Sequence, residues 1–224
     1  MTNKTASPWW HHFDSLEHQQ ETTTFGMWVF LATEVLIFGA IFTGYTVYRS
    51  TYTPSFEAAS DRLNLLIGAV NTVVLLTSSL TMALAVHAAK LGQTRKVFFR
   101  LVLTAVLGLV FLGLKALEYY GDYRDELVPG LAFDPAQWTA PKVHAGQVQL
   151  FLVFYYCLTG LHAVHLTIGI IIVAILAWMT RRAAFNSRYY APVEIWGLYW
   201  HFVDLIWIFL LPLLYLIGTR DRWL

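Results

Sequence analysis

Residues Trp28–Phe42 read WVFLATEVLIFGAIF, fifteen residues in which Thr33 and Glu34 are the only polar side chains. The apolar run extends in both directions, over Gly26–Tyr48, and so exceeds the roughly 20 residues a helix needs to cross a bilayer. Four more runs match it: Leu63–Ala89, Phe98–Tyr120, Val148–Met179 and Glu194–Gly218. The fourth is long enough to tilt or to project from the bilayer. Hydrocarbon offers no water to open backbone groups, so each run must be a helix. Uniform runs of this length do not fit barrel strands, which alternate over about ten residues. The expected fold class is all-α, a transmembrane bundle of five helices. Residues 1–25 form a cytoplasmic or interfacial segment, and residues 26–224 the five-span domain.

Composition agrees. Apolar types make up 57% of the 224 residues and charged types 13%, about half the share usual in soluble domains. The mean hydropathy is +0.53. Nine Trp and twelve Tyr, many near the ends of the apolar runs, suit interfacial belts. A net charge of +1 argues against a nucleic-acid role, which needs a strongly basic surface. The single cysteine, Cys157, excludes an internal disulfide and a cysteine metal cluster. The first 25 residues lack the apolar core of a cleavable signal peptide.

The segments KLGQTRKVFFR and TRRAAFNSRYY carry seven Lys/Arg and no acid. The other two loops hold Arg49, Arg62, Arg124 and Lys142 against Glu57, Asp61, Asp122, Asp125, Glu126 and Asp134. The positive-inside bias puts the basic loops and the N-terminus in the cytoplasm and the C-terminus outside. Trp9 and Trp10 are expected at the headgroups, and the adjacent His11 and His12 read as surface residues rather than a metal site.

Polar groups inside the spans carry the functional question. Glu34 lies eight residues into the first span, roughly 12 Å deep. His201 and Asp204, three apart in the fifth span, share a helix face and can form a hydrogen-bonded pair. His162 and His165, also three apart, sit near the middle of the fourth span. None should face lipid, where the cost is about 2.5–3.5 kcal/mol even on a lenient scale. Lys115 and Glu118 read as an anchoring ion pair near the outer end of the third span, with Lys115 free to snorkel. Gly68, Asn71, Thr72, Leu75, Ser78, Ser79 and Met82 form a stripe of small and hydrogen-bonding residues on the second span, which reads as helix packing.

Three functions compete on these residues alone. A haem-binding cytochrome would use His162, His165, His87 or His201, yet two ligands must face across a macrocycle from different helices, and no CxxCH is present. A proton-coupled transporter would show repeated halves and broken helices. A non-catalytic subunit would use its polar groups to lock its helices together and onto a partner.

The motifs resemble subunit III of the haem–copper oxidases. GMWVFLATEVLIFG is similar to the segment around that family's buried glutamate, and NTVVLLTSSLT to its Asn-Thr/Ser-Ser helix. LKALEYY resembles the Glu-Tyr segment and TGLHAVHLTIG the two-histidine helix. YYAPVEIWGLYWHFVDLIWIFLLPLLYL resembles the terminal signature, with Trp200, His201, Asp204 and Trp207 in place. Five motifs in order cover nearly the whole chain. Many members have seven spans; five spans resemble the form found in many bacterial oxidases, quinol oxidases included.

The resemblance implies a non-catalytic subunit of a proton-pumping terminal oxidase in the bacterial inner membrane. Such a subunit stabilises the catalytic subunit, binds phospholipid and favours proton uptake. Haem and copper then belong to partner subunits and none to this chain. Subunit I is the main contact, with subunit II, a small subunit IV and a larger respiratory supercomplex as further partners. Glu34 matches the glutamate that reacts with hydrophobic carbodiimides beside lipid. Trp28, Glu34, His201 and Trp207 are the expected lipid contacts. The electron donor would be cytochrome c, with quinol as the alternative.

Overall fold

The computed structural model describes residues 16–182 and 190–218. The expectations for Trp9, Trp10, His11 and His12 lie outside the described residues. Among the described residues six α-helices follow in order: α1 (Leu16–Thr51), α2 (Thr53–Ser60), α3 (Leu65–Lys90), α4 (Thr94–Arg124), α5 (Ala145–Arg181) and α6 (Ala191–Tyr215). Five of them, all but α2, are long and apolar enough to cross a membrane. At 1.5 Å per residue the 36 residues of α1 and 37 of α5 extend about 54 and 55 Å. A hydrocarbon core is about 30 Å thick, so both helices tilt or project.

Between α4 and α5 lies a small cap that the periodicity does not reveal. Strands β1 (Leu127–Val128) and β2 (Ala132–Phe133) pair antiparallel, Leu127 opposite Phe133 and Val128 opposite Ala132. Gly130, at φ +77°, closes their turn in a conformation that costs glycine little. The short α2 begins with Pro54 in its first turn, where the missing N–H costs nothing. It is tied to the start of α5 by Ser55, whose hydroxyl donates to Gln147 Oε1 at 2.7 Å and accepts from the His144 amide at 3.1 Å.

Helices α3 to α6 form the body: α3 packs on α4 and α6, and α5 packs on α4 and α6. Close approach depends on small residues at the seams. A methyl group at Gly108 would meet Ile170 and Trp200 at 3.0 Å, and one at Gly197 would meet Val86 at 2.9 Å. The polar stripe of the second span is the face that α3 turns to α6. Ser78 accepts from Trp200 Nε1 and Thr72 from Trp207 Nε1, both at 3.0 Å, while Ser79 meets His201 Nδ1 at 2.7 Å. Lipid gives apolar helices little reason to associate, so such bonds and tight packing supply the adhesion.

Helix α1 stands at the flank, against α5 and α6. It buries only a narrow stripe, Met27, Leu31, Glu34, Phe38 and Tyr45, and exposes Trp28, Val35, Leu36 and Ile37. Toward its C-terminal end the Tyr45 hydroxyl donates to the Leu213 carbonyl at 2.5 Å, and Ser60 of α2 donates to the Leu214 carbonyl at 2.7 Å. These carbonyls lie in the last turn of α6, where intrahelical donors run out.

Candidate functional site

Three polar groupings occupy the spans. The first joins α1 to α5. Glu34, 8% exposed, sets Oε2 2.9 Å from His165 Nε2. The other ring nitrogen, Nδ1, lies 2.8 Å from the Leu161 carbonyl, which can only accept, so Nδ1 carries a proton. The short Nε2–Oε2 contact then needs one further proton between its two atoms. The pair is either imidazole with carboxylic acid or imidazolium with carboxylate, and its total charge is zero in both forms. Phe38 packs against the ring at 5.4 Å, and Tyr199 donates to the His165 carbonyl at 2.9 Å.

The second grouping lies where α3 meets α6, and it corrects the expected His201–Asp204 pair. His201 is bonded to Ser79 on α3, not to Asp204. Asp204 is buried, and neither of its carboxylate oxygens has a hydrogen bond among the described residues. Spacing of three on one helix permits the pair, but a hydroxyl on the facing helix reaches the imidazole first. His162 and His165 likewise do not act together. His162 is fully enclosed, edge-on to Phe111 at 5.4 Å and 5.2 Å from Trp207, with both ring nitrogens unbonded among the described residues. His87 is exposed on α3.

The third grouping is larger than the expected Lys115–Glu118 pair. The two are 3.1 Å apart, but Lys115 does not snorkel: its side chain is only 4% exposed. Nζ also donates to Tyr155 Oη at 3.1 Å and Tyr215 Oη at 2.8 Å. The rings of Tyr119, Tyr155, Trp207 and Tyr215 surround it at 4.8–5.5 Å. Tyr215 and Tyr155 donate to Glu118 Oε1 at 2.6 and 3.0 Å, and Tyr156 donates to Asp122 at 3.2 Å. Three acceptors and an aromatic cage hold the lysine inward, which outweighs the reach of its stem toward water. Asp122, counted from sequence among the loop acids, is buried on α4. Its position four residues after Glu118, on the same helix face, is the signal that could have placed it. Tyr155, Tyr156 and Tyr215 carried no such signal.

Beside α1 an apolar groove of about 700 Å³ runs along α6, lined by Trp28, Leu31, Val35, Leu36, His201 and Phe202, among others. Trp28 is 57% exposed on its rim, whereas Trp207 is fully buried, edge-on to Phe111 at 4.7 Å. Trp207 therefore cannot touch lipid, contrary to expectation: its indole N–H is committed to Thr72 inside the body. Among the described residues no group of three His, Cys, Asp or Glu is arranged to hold a metal ion.

The model of cytochrome c oxidase subunit III matches residues 11–123 and 144–219. A cytochrome c oxidase subunit 3 from Synechocystis sp. is 32% identical over 194 residues, 86% of this chain and 75% of its own length. One from Thermostichus vulcanus is 30% identical over 207 residues, covering 91% and 92%. A probable quinol oxidase subunit 3 from Staphylococcus aureus is 26% identical over 207 residues, covering 92% and 94%. The five spans, the ordered motifs and these matches agree: the chain belongs to the subunit III family of the haem–copper terminal oxidases, integral membrane proteins that associate with the other oxidase subunits.

Proposed function

We propose that the chain supports a cytochrome c-oxidising enzyme of the bacterial inner membrane. It does so by gripping subunit I, with subunit II and a small subunit IV as further neighbours, and by holding phospholipid against α1. Haem and copper sit in those partners, and this chain favours proton uptake by the catalytic subunit. The N-terminus and the basic loops face the cytoplasm.

The observation that carries this reading is the closed Glu34–His165 pair beside an open apolar groove. A polar group that is internally matched holds helices together, and an apolar groove with Trp28 on its rim suits acyl chains. The greater identity to relatives named as cytochrome c oxidase subunits supports that donor over quinol. Oxygen uptake by the purified complex with reduced cytochrome c and with a quinol separates the two.

The supporting role is tested with Glu34→Gln in the intact complex. The initial rate of oxygen reduction should stay near that of the parent, while activity during prolonged turnover decays sooner. Dicyclohexylcarbodiimide should label Glu34 ahead of Asp204 and Glu118 in mapped peptides. An immediate, near-total loss of oxygen reduction with all subunits present would place Glu34 on the catalytic path instead.

A further inference from the structure

Enclosed polar side-chain atoms without a hydrogen bond among the described residues belong to Asn71, Trp138, His162 and Asp204. Trp138 lies in the cap, and Asp204 one turn before Trp207 on α6. Asn71 on α3 and His162 on α5 share the level of Trp207. Its ring lies 5.2 Å from that of His162, and its indole N–H donates to Thr72, the residue after Asn71. Asn71 is 0% and His162 1% exposed. Helices α3 and α5 stand across the body from each other, each packed on α4 and α6. The other diagonal closes by direct contact, Phe111 of α4 edge-on to Trp207 of α6 at 4.7 Å.

The neighbouring polar groups are already committed. Lys115 spends its three N–H groups on Glu118, Tyr155 and Tyr215. The Tyr155 and Tyr215 hydroxyls go to Glu118. Thr159, one turn before His162, is bonded to Tyr119 and to the Tyr155 carbonyl. Native interiors pair their buried polar atoms with protein or with ordered water, and an amide and an imidazole each offer both a donor and an acceptor. Enclosure on all sides keeps a partner's side chain out, so the missing partner is as small as water. We propose that an ordered water at the centre of the body bridges the Asn71 amide and a ring nitrogen of His162. Water donates and accepts, so it fits either tautomer of the imidazole. It joins α3 to α5, the diagonal that side-chain contacts leave open. The inference rests on burial alone and is independent of the electron donor and of the subunit neighbours.

The test is a density map of the intact oxidase complex, resolved well enough to show ordered water. One peak is expected, about 2.7–3.2 Å from a polar atom of Asn71 and from a ring nitrogen of His162. Release of this subunit from the heated complex gives a second reading. Asn71→Leu and His162→Phe each remove one anchor of the water and orphan the other side chain. Each should raise the ratio of released to retained subunit about tenfold. The double variant leaves neither group to satisfy, so its release should return most of the way to that of the parent. A direct Asn71–His162 bond in the map, or no peak between them, overturns the proposal. So does a peak about 2.3–2.6 Å from its neighbours, the spacing of a bound cation. Independent losses, multiplying to about a hundredfold in the double variant, overturn it as well. Where a variant does not assemble, the map of the parent complex decides.

Discussion

The four-helix body and the flanking helix α1 solve the same problem in different ways. Within the body, α4, α5 and α6 meet around a buried ammonium with three hydrogen bonds and four aromatic rings. Helix α1 has two principal polar fastenings, Glu34 to His165 and Tyr45 to the Leu213 carbonyl, eleven residues apart. Removing one member of a dense network orphans several others, whereas removing one fastening orphans a single partner. The body should therefore fail as a unit, and α1 should loosen locally.

The largest break expected is Lys115→Met, which leaves Glu118 and Asp122 buried without their cation. Uncompensated buried charge costs about 3–5 kcal/mol, and the expected outcome is loss of this subunit from the purified complex, read by gel and by thermal unfolding in detergent. Gly108→Ala comes next. Its new methyl must push aside Trp200 and Ile170, an overpacking worth about 1–3 kcal/mol, visible as a lowered unfolding temperature. Glu34→Ala leaves His165 Nε2 unbonded at a cost of about 1–3 kcal/mol. Its distinguishing sign is that proteolysis or hydrogen exchange rises in α1 alone. Should Glu34→Ala unfold the entire subunit as Lys115→Met does, the contrast between body and flank is wrong. Tyr45→Phe removes the second fastening and should cost about 0.5–1.5 kcal/mol, with exchange rising at the C-terminal end of α1. Lys90→Met breaks a pair whose side chains are 46% and 41% exposed, and about 0.2–1 kcal/mol at most is expected.

Much of this was legible in the sequence, because a membrane makes apolar length and buried charge conspicuous. All five spans were readable, since a run of twenty apolar residues has one solution in lipid. Their ends were less so: polar residues such as those of Leu16–Phe25 continue the helix of α1 beyond its apolar part. Helix α2 and the β1–β2 hairpin escaped notice because eight and two residues carry too little periodicity. The site was legible by residue more than by partner. Glu34, His165, His201, Asp204, Lys115 and Glu118 all stood out as polar in apolar runs. Partnership depends on which helix faces which, and spacing along one helix cannot report that. Hence His201 went to Ser79, and Lys115 gathered tyrosines from α5 and α6.

The single proton shared by Glu34 and His165 has an electrical consequence. A membrane under potential does work on a charge that crosses it, about 2.3 kcal/mol per 100 mV for a full crossing. Because the pair is neutral in either arrangement, exchange between the two displaces only one proton within a 2.9 Å contact. That is a small fraction of the bilayer, so the work is a correspondingly small fraction of the full amount. The joint between α1 and α5 should hold equally well in an idle and a fully energised membrane.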